Sequence, residues 1–551
     1  MNKFLFAAAL LTLLAGCTEP AGPSIPEKLA VPENVVLHSA TETSLTFQWN
    51  PVVGAERYGW LLTEADGSGE LKGSVTQRNV MIPNLRKGTD YLFWVRAEAK
   101  DEVFEYCSPV PARTEGTAPA PGGDRVCADA PLVLTLEAPP VLGSKGFVKI
   151  FKAGGDEVDR IDLADISGVN IREDGTMVPR QQVTGSNTFT DKLPSGGNTR
   201  LVHYTPFRIS GNSLVIRPHC MALDFDTEYY VTVDESVCGK AVAAGEWKFT
   251  TKPAPSTSSV HVAADGSGDF CTLQRALCHV SDGAVISMAD GSYEGLLYLR
   301  NRKDLSVKGD SRDGVRIVYP NCEHYMSGSS ARCLWLVENC DNLILENLTI
   351  ENSFGDLNGQ AEAIYFNSGN NTHRLTIENC SLLSYQDTFL CKGSVWVHNS
   401  LIAGHCDFIW GYPKACLFEN CEIRSRAAGY IVQARVKSAS DKGFVFLNCK
   451  LTAEKGVKDG TMYLARSSGQ ADCYDNVSYI GCTMSPVIAP AGWYPKPEPN
   501  PSTPNAVSGW KEYASVNESG TSASGSRNAF GRILTAAEAA PYLSREAVLG
   551  W

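Results

Sequence analysis

From about residue 260 onward, short apolar runs recur and each gives way to a polar turn. They read LSVKG (305–309), NLILENLTIEN (342–352), RLTIEN (374–379), VWVHN (395–399), CLFEN (416–420), FVFLN (444–448) and VSYIG (477–481). Strand-length runs repeating every 20 to 30 residues or so predict a solenoid of stacked coils, here a parallel β-helix. Two turns carry the same arrangement: Asn379 lies eight residues before Asp387, and Asn399 eight before Asp407. One coil earlier, Asn352 lies eight before Gln360. Equal phase on successive coils makes such residues neighbours along the axis, at a strand spacing of about 4.8 Å. A short amphipathic helix is expected where Leu273, Ala276, Leu277 and Val280 share a face, placed to cap the open end of the coil. Thr535 and Glu538 form a capping box that opens a terminal helix. The front half alternates differently. SLTFQW (44–49) and YLFWVRAEA (91–99) predict one β-sandwich between about 27 and 117. LVLTL, FVKIF, SLVIR and EYYVTVD predict a second between about 124 and 251. The Pro-rich stretches at 117–123 and 252–259 read as linkers, so both modules read as spacers. The fold class is therefore all-β.

Charge and cysteine usage narrow the picture. A formal net charge of −12 without any long Lys/Arg run argues against nucleic acid as partner. The start, MNKFLFAAALLTLLAGC, has a lysine and an apolar core too short to span a bilayer, as in an export signal. Its ending, Leu14-Ala15-Gly16-Cys17, resembles a bacterial lipobox, which implies cleavage before Cys17 and lipid on its thiol. The expectation is a monomer anchored by lipid to the outer membrane of a Gram-negative cell. Of the 18 cysteines, 13 lie from Cys271 onward, several in a repeated Asn-Cys turn at 339–340, 379–380, 420–421 and 448–449. Equivalent thiols on successive coils predict a buried stack rather than cross-links, although Cys322 with Cys333 remains a candidate bridge. No zinc spacing occurs, and neither metal nor cofactor is expected.

The candidate chemistry sits between Ser384 and Gly411. Two carboxylates one coil apart cannot easily both ionise, so Asp387 and Asp407 are expected to separate into a protonated acid and an anion. Stacked Asp pairs repel and serve a ladder poorly, whereas stacked Asn residues serve it well. His405 alternates onto the face of Asp407, to perturb it or to serve the structure. No G-x-S-x-G signature of a serine hydrolase is present.

These motifs carry a resemblance. VAADGSGDFCTLQRAL (262–277), GQAEAI (359–364), YQDTF (385–389), DFIWG (407–411), YLAR (463–466), AGW (491–493) and GRILTAAEA (531–539) stand in the order found in pectin methylesterases, over roughly residues 258–551. The resemblance implies a right-handed parallel β-helix and metal-free hydrolysis of galacturonate methyl esters in pectin. Matched residue by residue, it implies Asp407 as nucleophile, Asp387 as general acid, Gln360 and Gln386 as oxyanion donors, and Arg466 as the partner that keeps Asp407 ionised. Trp410, Gln433, Arg435 and Trp493 are the implied substrate contacts. Lys437 falls in the same cleft-lining segment. Ser468 stands where the family has a cleft tryptophan, and Trp410 where it has phenylalanine. Trp410 is thus either a replacement stacking surface or core. The 27–117 module resembles a fibronectin type III domain, and the 124–251 module resembles a bacterial Ig-like domain. Rival readings are another ester or thioester hydrolase on this scaffold, a lyase or glycosidase, and a non-catalytic glycan-binding protein.

Overall fold

The computed structural model describes residues 29–551, apart from 42, 66, 100–101, 115, 173–176 and 369–371. The chain forms two compact units, one ending at Glu115 and one running from Gly116 to Trp551. The first is the predicted sandwich. Strands 36–40, 45–48 and 79–82 form one sheet, and a second is built around 57–64 and 90–99. The strand at 90–99 buries alternate residues, as period-two patterning demands. Phe47 stacks on Phe93 at 3.9 Å between centroids inside that core.

The second unit contains a 23-stranded sheet whose neighbours all pair in parallel, wound into a β-helix. Three strand columns make its faces. Apart from LTIEN (348–352), whose strand pairs with 315–319 and 381–383 in a neighbouring column, the runs read from sequence fall into one column, which contains 285–288, 306–309, 343–346, 375–378, the second half of 389–398, 444–447 and 477–480. A turn follows each run, and an Asn there adopts positive φ: Asn347 (57°), Asn379 (49°), Asn399 (49°), Asn420 (55°) and Asn448 (54°). Asparagine tolerates the left-handed region better than other side chains, so one residue type repeats at this corner. Asn352 is not part of this ladder. It is buried and accepts from the Asn321 amide instead, so Asn347 is the true equivalent of Asn379.

The residue after each corner, which is an asparagine on most coils and Gly481 or Ala514 on later ones, points inward. Cys380, Ser400, Cys421, Cys449, Cys482 and Ser515 succeed one another coil by coil, all at most 3 % exposed. The expected thiol stack is therefore present, with two serines in it. Cys340 belongs elsewhere, because the Asn339 amide bonds to Asn367 at a different corner. The Cys322–Cys333 bridge is not formed; both thiols are buried and free.

The predicted helix spans Leu273–His279 and buries Leu273, Ala276 and Leu277 against the first coil. Gln274 completes the cap: its amide donates to Tyr298 O and accepts from Tyr298 N at 2.8 Å, pairing an edge that would otherwise be open.

The second sandwich has the four predicted strands, but it is not a spacer on a tether. Its hairpin 190–203 inserts Leu193 and Val202 into the β-helix core. Arg200, 6 % exposed, donates to the carbonyls of Leu297, Ala331, Cys333 and Leu334. The expected linker is clamped as well, since Lys252 Nζ donates to Gly266 O and Gly268 O. Pro/Gly composition signalled a flexible join. The buried partners that rigidify it lie 14 to 134 residues away in sequence, beyond any local signal.

Candidate active site

Asp387 and Asp407 occupy matching kinks on adjacent coils. Upstream of them, 381–383 pairs with 401–403; downstream, Phe389 pairs with Ile409. Between these, Gln386 bridges Cys406, and the Asp387 amide donates to Cys406 O at 3.1 Å. Both aspartates take positive φ, 66° and 47°. The two carboxylates therefore stand one coil apart at the same turn, 6 % and 5 % exposed. Gln360 bridges Gln386 through the backbone, so the two glutamines take successive places in a column of their own one residue before the aspartates. The eight-residue count that aligned Gln360 with the aspartates thus misses by one, because coils differ in length.

The two carboxylates have different company. Asp407 takes a forked guanidinium: Arg466 Nε lies 2.8 and 3.0 Å from its oxygens, and Nη2 also reaches Oδ2. Gln433 Nε2 adds a bond to Oδ2 at 2.8 Å. The pairing in turn holds Arg466 well above its usual pKa. Asp387 accepts one bond from Arg332 Nη2 at 2.9 Å. That guanidinium is engaged chiefly by Glu362, through Nε at 3.2 and 3.0 Å and Nη2 at 2.8 Å, while Nη1 reaches Glu323 at 2.8 Å. Burial pushes the Asp387 carboxyl well above the carboxylate range, and the charges of Glu362 and Asp407 push it the same way. Burial also raises Glu362, which is fully inaccessible.

The implied substrate contacts divide. Arg435 lies half-buried at the site, its guanidinium 4.6 Å above the Trp410 ring and its Nη1 3.1 Å from the Tyr412 hydroxyl. Trp410 is 7 % exposed beneath it, a supporting floor for Arg435. Gln433 is 5 % exposed and donates to Asp407, so its first role is to hold that carboxylate. Trp493 is excluded as a contact. It is 0 % exposed and stacks on Trp510 in the core. Its neighbour Tyr494 is half-exposed and meets Tyr430 and Tyr463 at 4.8 and 5.0 Å; Arg466 lies over Tyr430. Those three rings supply an aromatic surface beside Arg466 and Asp407 that the sequence reading passed over. Lys437 is exposed and paired with Asp472. His405 packs edge-on against Tyr385, and burial lowers its pKa, which makes it a structural histidine.

Arg332 and Glu362 were also passed over. The signal was there: Glu362 interrupts the apolar GQAEAI run, and a charge inside a buried strand needs a partner. The loop 320–332 that carries Arg332 is braced from the second sandwich. Val183 N donates to Tyr325 O at 2.9 Å, and the His203 ring stacks on Tyr319 at 5.2 Å. The same loop reaches the glutamine column, since Glu323 N donates to Gln360 O at 3.0 Å.

Among the described residues one group, Cys127, Asp129 and Cys271, brings three potential metal-ligand atoms within 4.8 Å of one another. Its donors are already used: Asp129 accepts from the amides of Cys271 and Thr272 and from the Thr272 hydroxyl, and Lys252 Nζ lies 3.3 Å from Cys127. It works as a helix cap between the modules. Cys17 lies outside the described residues.

A parallel β-helix that sets two aspartates on adjacent coils, one of them held by a forked arginine, with two glutamines one residue before, fits a carbohydrate ester hydrolase. The pectinesterase family model matches residues 259–545, and the chain belongs to that family. The fibronectin type III model matches residues 30–109. Pectinesterase 31 of Arabidopsis thaliana is 32 % identical over 254 residues, covering 43 % of this chain and 77 % of that protein. Probable pectinesterase A of Aspergillus niger is 28 % identical over 244 residues, covering 42 % and 71 %. Among solved structures, the deglycosylated Aspergillus niger pectin methylesterase is 26 % identical, with 54 % and 95 % coverage and a TM-score of 0.44.

Proposed function

We propose that this pectinesterase acts on the methyl esters of homogalacturonan with Asp407 as nucleophile and Asp387 as acid and base. An Asp407 oxygen attacks the ester carbonyl, and the amide donors of Gln360 and Gln386 receive the developing oxyanion. Asp387 gives its proton to the departing methoxide, leaving a mixed anhydride on Asp407. The resulting Asp387 carboxylate then takes a proton from the water that hydrolyses the anhydride. Pectate and methanol leave, and both aspartates return to their starting states. One observation carries the assignment: two carboxylates at one turn of adjacent coils, one with its own forked guanidinium, the other sharing its guanidinium with a second buried carboxylate. Arg435 and the Tyr430–Tyr463–Tyr494 cluster would meet the galacturonate carboxylates and sugar faces.

The test is methanol release from highly methylated pectin by the wild type and by Asp407→Ala. Loss in the variant is expected; an unimpaired variant overturns the assignment. Hydrolysis of acyl thioesters in preference to pectin would favour the rival esterase reading. The Leu14–Cys17 segment further supports export with a lipid anchor at Cys17 in the outer membrane. On this reading Cys17→Ala frees the protein from membranes without changing turnover. A variant that stays membrane-bound argues against it.

A further inference from the structure

We propose that Glu362 is a positioning residue for the ester reaction, which engages the Arg332 guanidinium and so keeps Asp387 as the neutral acid that protonates methoxide. The proposal deepens the reading above and rests on it. Glu362 is 0 % exposed and sits one coil before Asp387, so it cannot touch a polysaccharide. Its influence reaches Asp387 as a buried charge and through the Arg332 guanidinium, which is 7 % exposed.

The charges around Asp387 can be enumerated from every side. Glu362 and Arg332 face it from the preceding coil and its loop, Asp407 from the following coil, and Arg435 from beyond that. Arg466 is committed to Asp407, and Glu323 occupies the outer edge of Arg332. Arg332 is thus the nearest cation for two buried carboxyls. It makes three contacts to Glu362 and a single one to Asp387 Oδ2. The forked partner is the ion, and the singly bonded carboxyl keeps its proton on Oδ1. A protonated carboxyl still accepts a hydrogen bond at its carbonyl oxygen, so the Arg332 contact fits that state. Without the Glu362 charge, the same guanidinium would drive Asp387 to ionise. The acid would then be spent before the ester is attacked.

The experiment is the pH profile of kcat for methanol release by wild type, Glu362→Gln and the double variant Arg332→Gln/Glu362→Gln. Glu362→Gln keeps the shape and removes the charge. Its alkaline limb should move toward acid by roughly 1 to 3 pH units, with activity recovering at low pH and KM little changed. The double variant leaves Asp387 buried with neither neighbour, so its limb should return to the wild-type position or above. A loss by the same factor at every pH, with the limb in place, is what a merely structural residue gives, and it overturns the proposal. If Glu362→Gln does not fold, the double variant decides: a limb moved toward acid overturns the proposal. Difference infrared spectra, with Asp387→Asn marking the band, read the protonated carboxyl directly. The band should be present in wild type at neutral pH and absent in Glu362→Gln; its persistence in Glu362→Gln also overturns the proposal. Wild type that releases no methanol refutes the functional reading, while the infrared band still judges Glu362.

Discussion

Asp387 and Asp407 share residue type, burial and a left-handed backbone, so nothing intrinsic to either separates their roles. Their neighbours do. Replacing either by Asn should leave the fold intact, since neither packs the core, and cut methanol release by about 10²–10⁴-fold. Near-full activity in Asp387→Asn would place the acid elsewhere. Arg466→Lys should reduce kcat at least about tenfold at unchanged circular dichroism, because an ammonium cannot reproduce the fork across both Asp407 oxygens. A variant with wild-type kcat would show that charge alone suffices. The aspartates and Gln360 stood out because they recur at coil spacing after a turn asparagine, whereas Gln386 and Arg466 entered only through the family resemblance. Arg332 was not legible, since it meets Glu362 across 30 residues and Asp387 across 55. Trp493 was misjudged for a related reason. A motif can name the loop, but whether Trp493 or Tyr494 turns outward depends on Trp510, which belongs to a later coil.

At the scale of elements, the strand runs were readable because an inward Cys or Ser and an outward Asn corner recur over successive coils of that face. Phase was not readable by counting, because the corner asparagines at 347, 379, 399, 420 and 448 are unevenly spaced. Only pairing across coils sets the register. One strand also carries a charge no pattern announced. Lys511, 0 % exposed in strand Trp510–Tyr513, donates to Val507 O and Gly509 O, and burial lowers its pKa to about 7. The unfolded value is about 10.4. Between pH 7 and about 10.4 the unfolded chain therefore holds one more proton at this site, so stability should rise with pH across that window. Replacing Lys511 by Met should remove up to about 1.4 kcal/mol per pH unit from the slope between pH 7.5 and 9.5, measured by chemical denaturation. An unchanged slope would mean that Lys511 titrates normally in the fold.

For the whole molecule, composition gave the number of modules and missed how the second is joined. Fibronectin-like residues up to 115 form a unit by themselves, so deleting them should leave turnover on soluble pectin within about twofold of the full chain. Deleting to residue 255 is a different operation. It strips Leu193 and Val202 from the β-helix core, unpairs the four carbonyls held by Arg200, and releases the brace on the Arg332 loop. That shorter chain should melt lower and lose activity, or fail to accumulate; full activity with an unchanged melting temperature would restore the spacer view. The clamped cap also bears on the order of events during synthesis. A solenoid grows by adding each coil to an edge already in place, and the second sandwich with its helix is synthesised ahead of the first coil. The cap is then the template on which the barrel of coils is laid down, one face at a time, toward Trp551. Chains stopped at successive coil boundaries should accordingly keep a protease-resistant front, whereas chains begun at those boundaries should not.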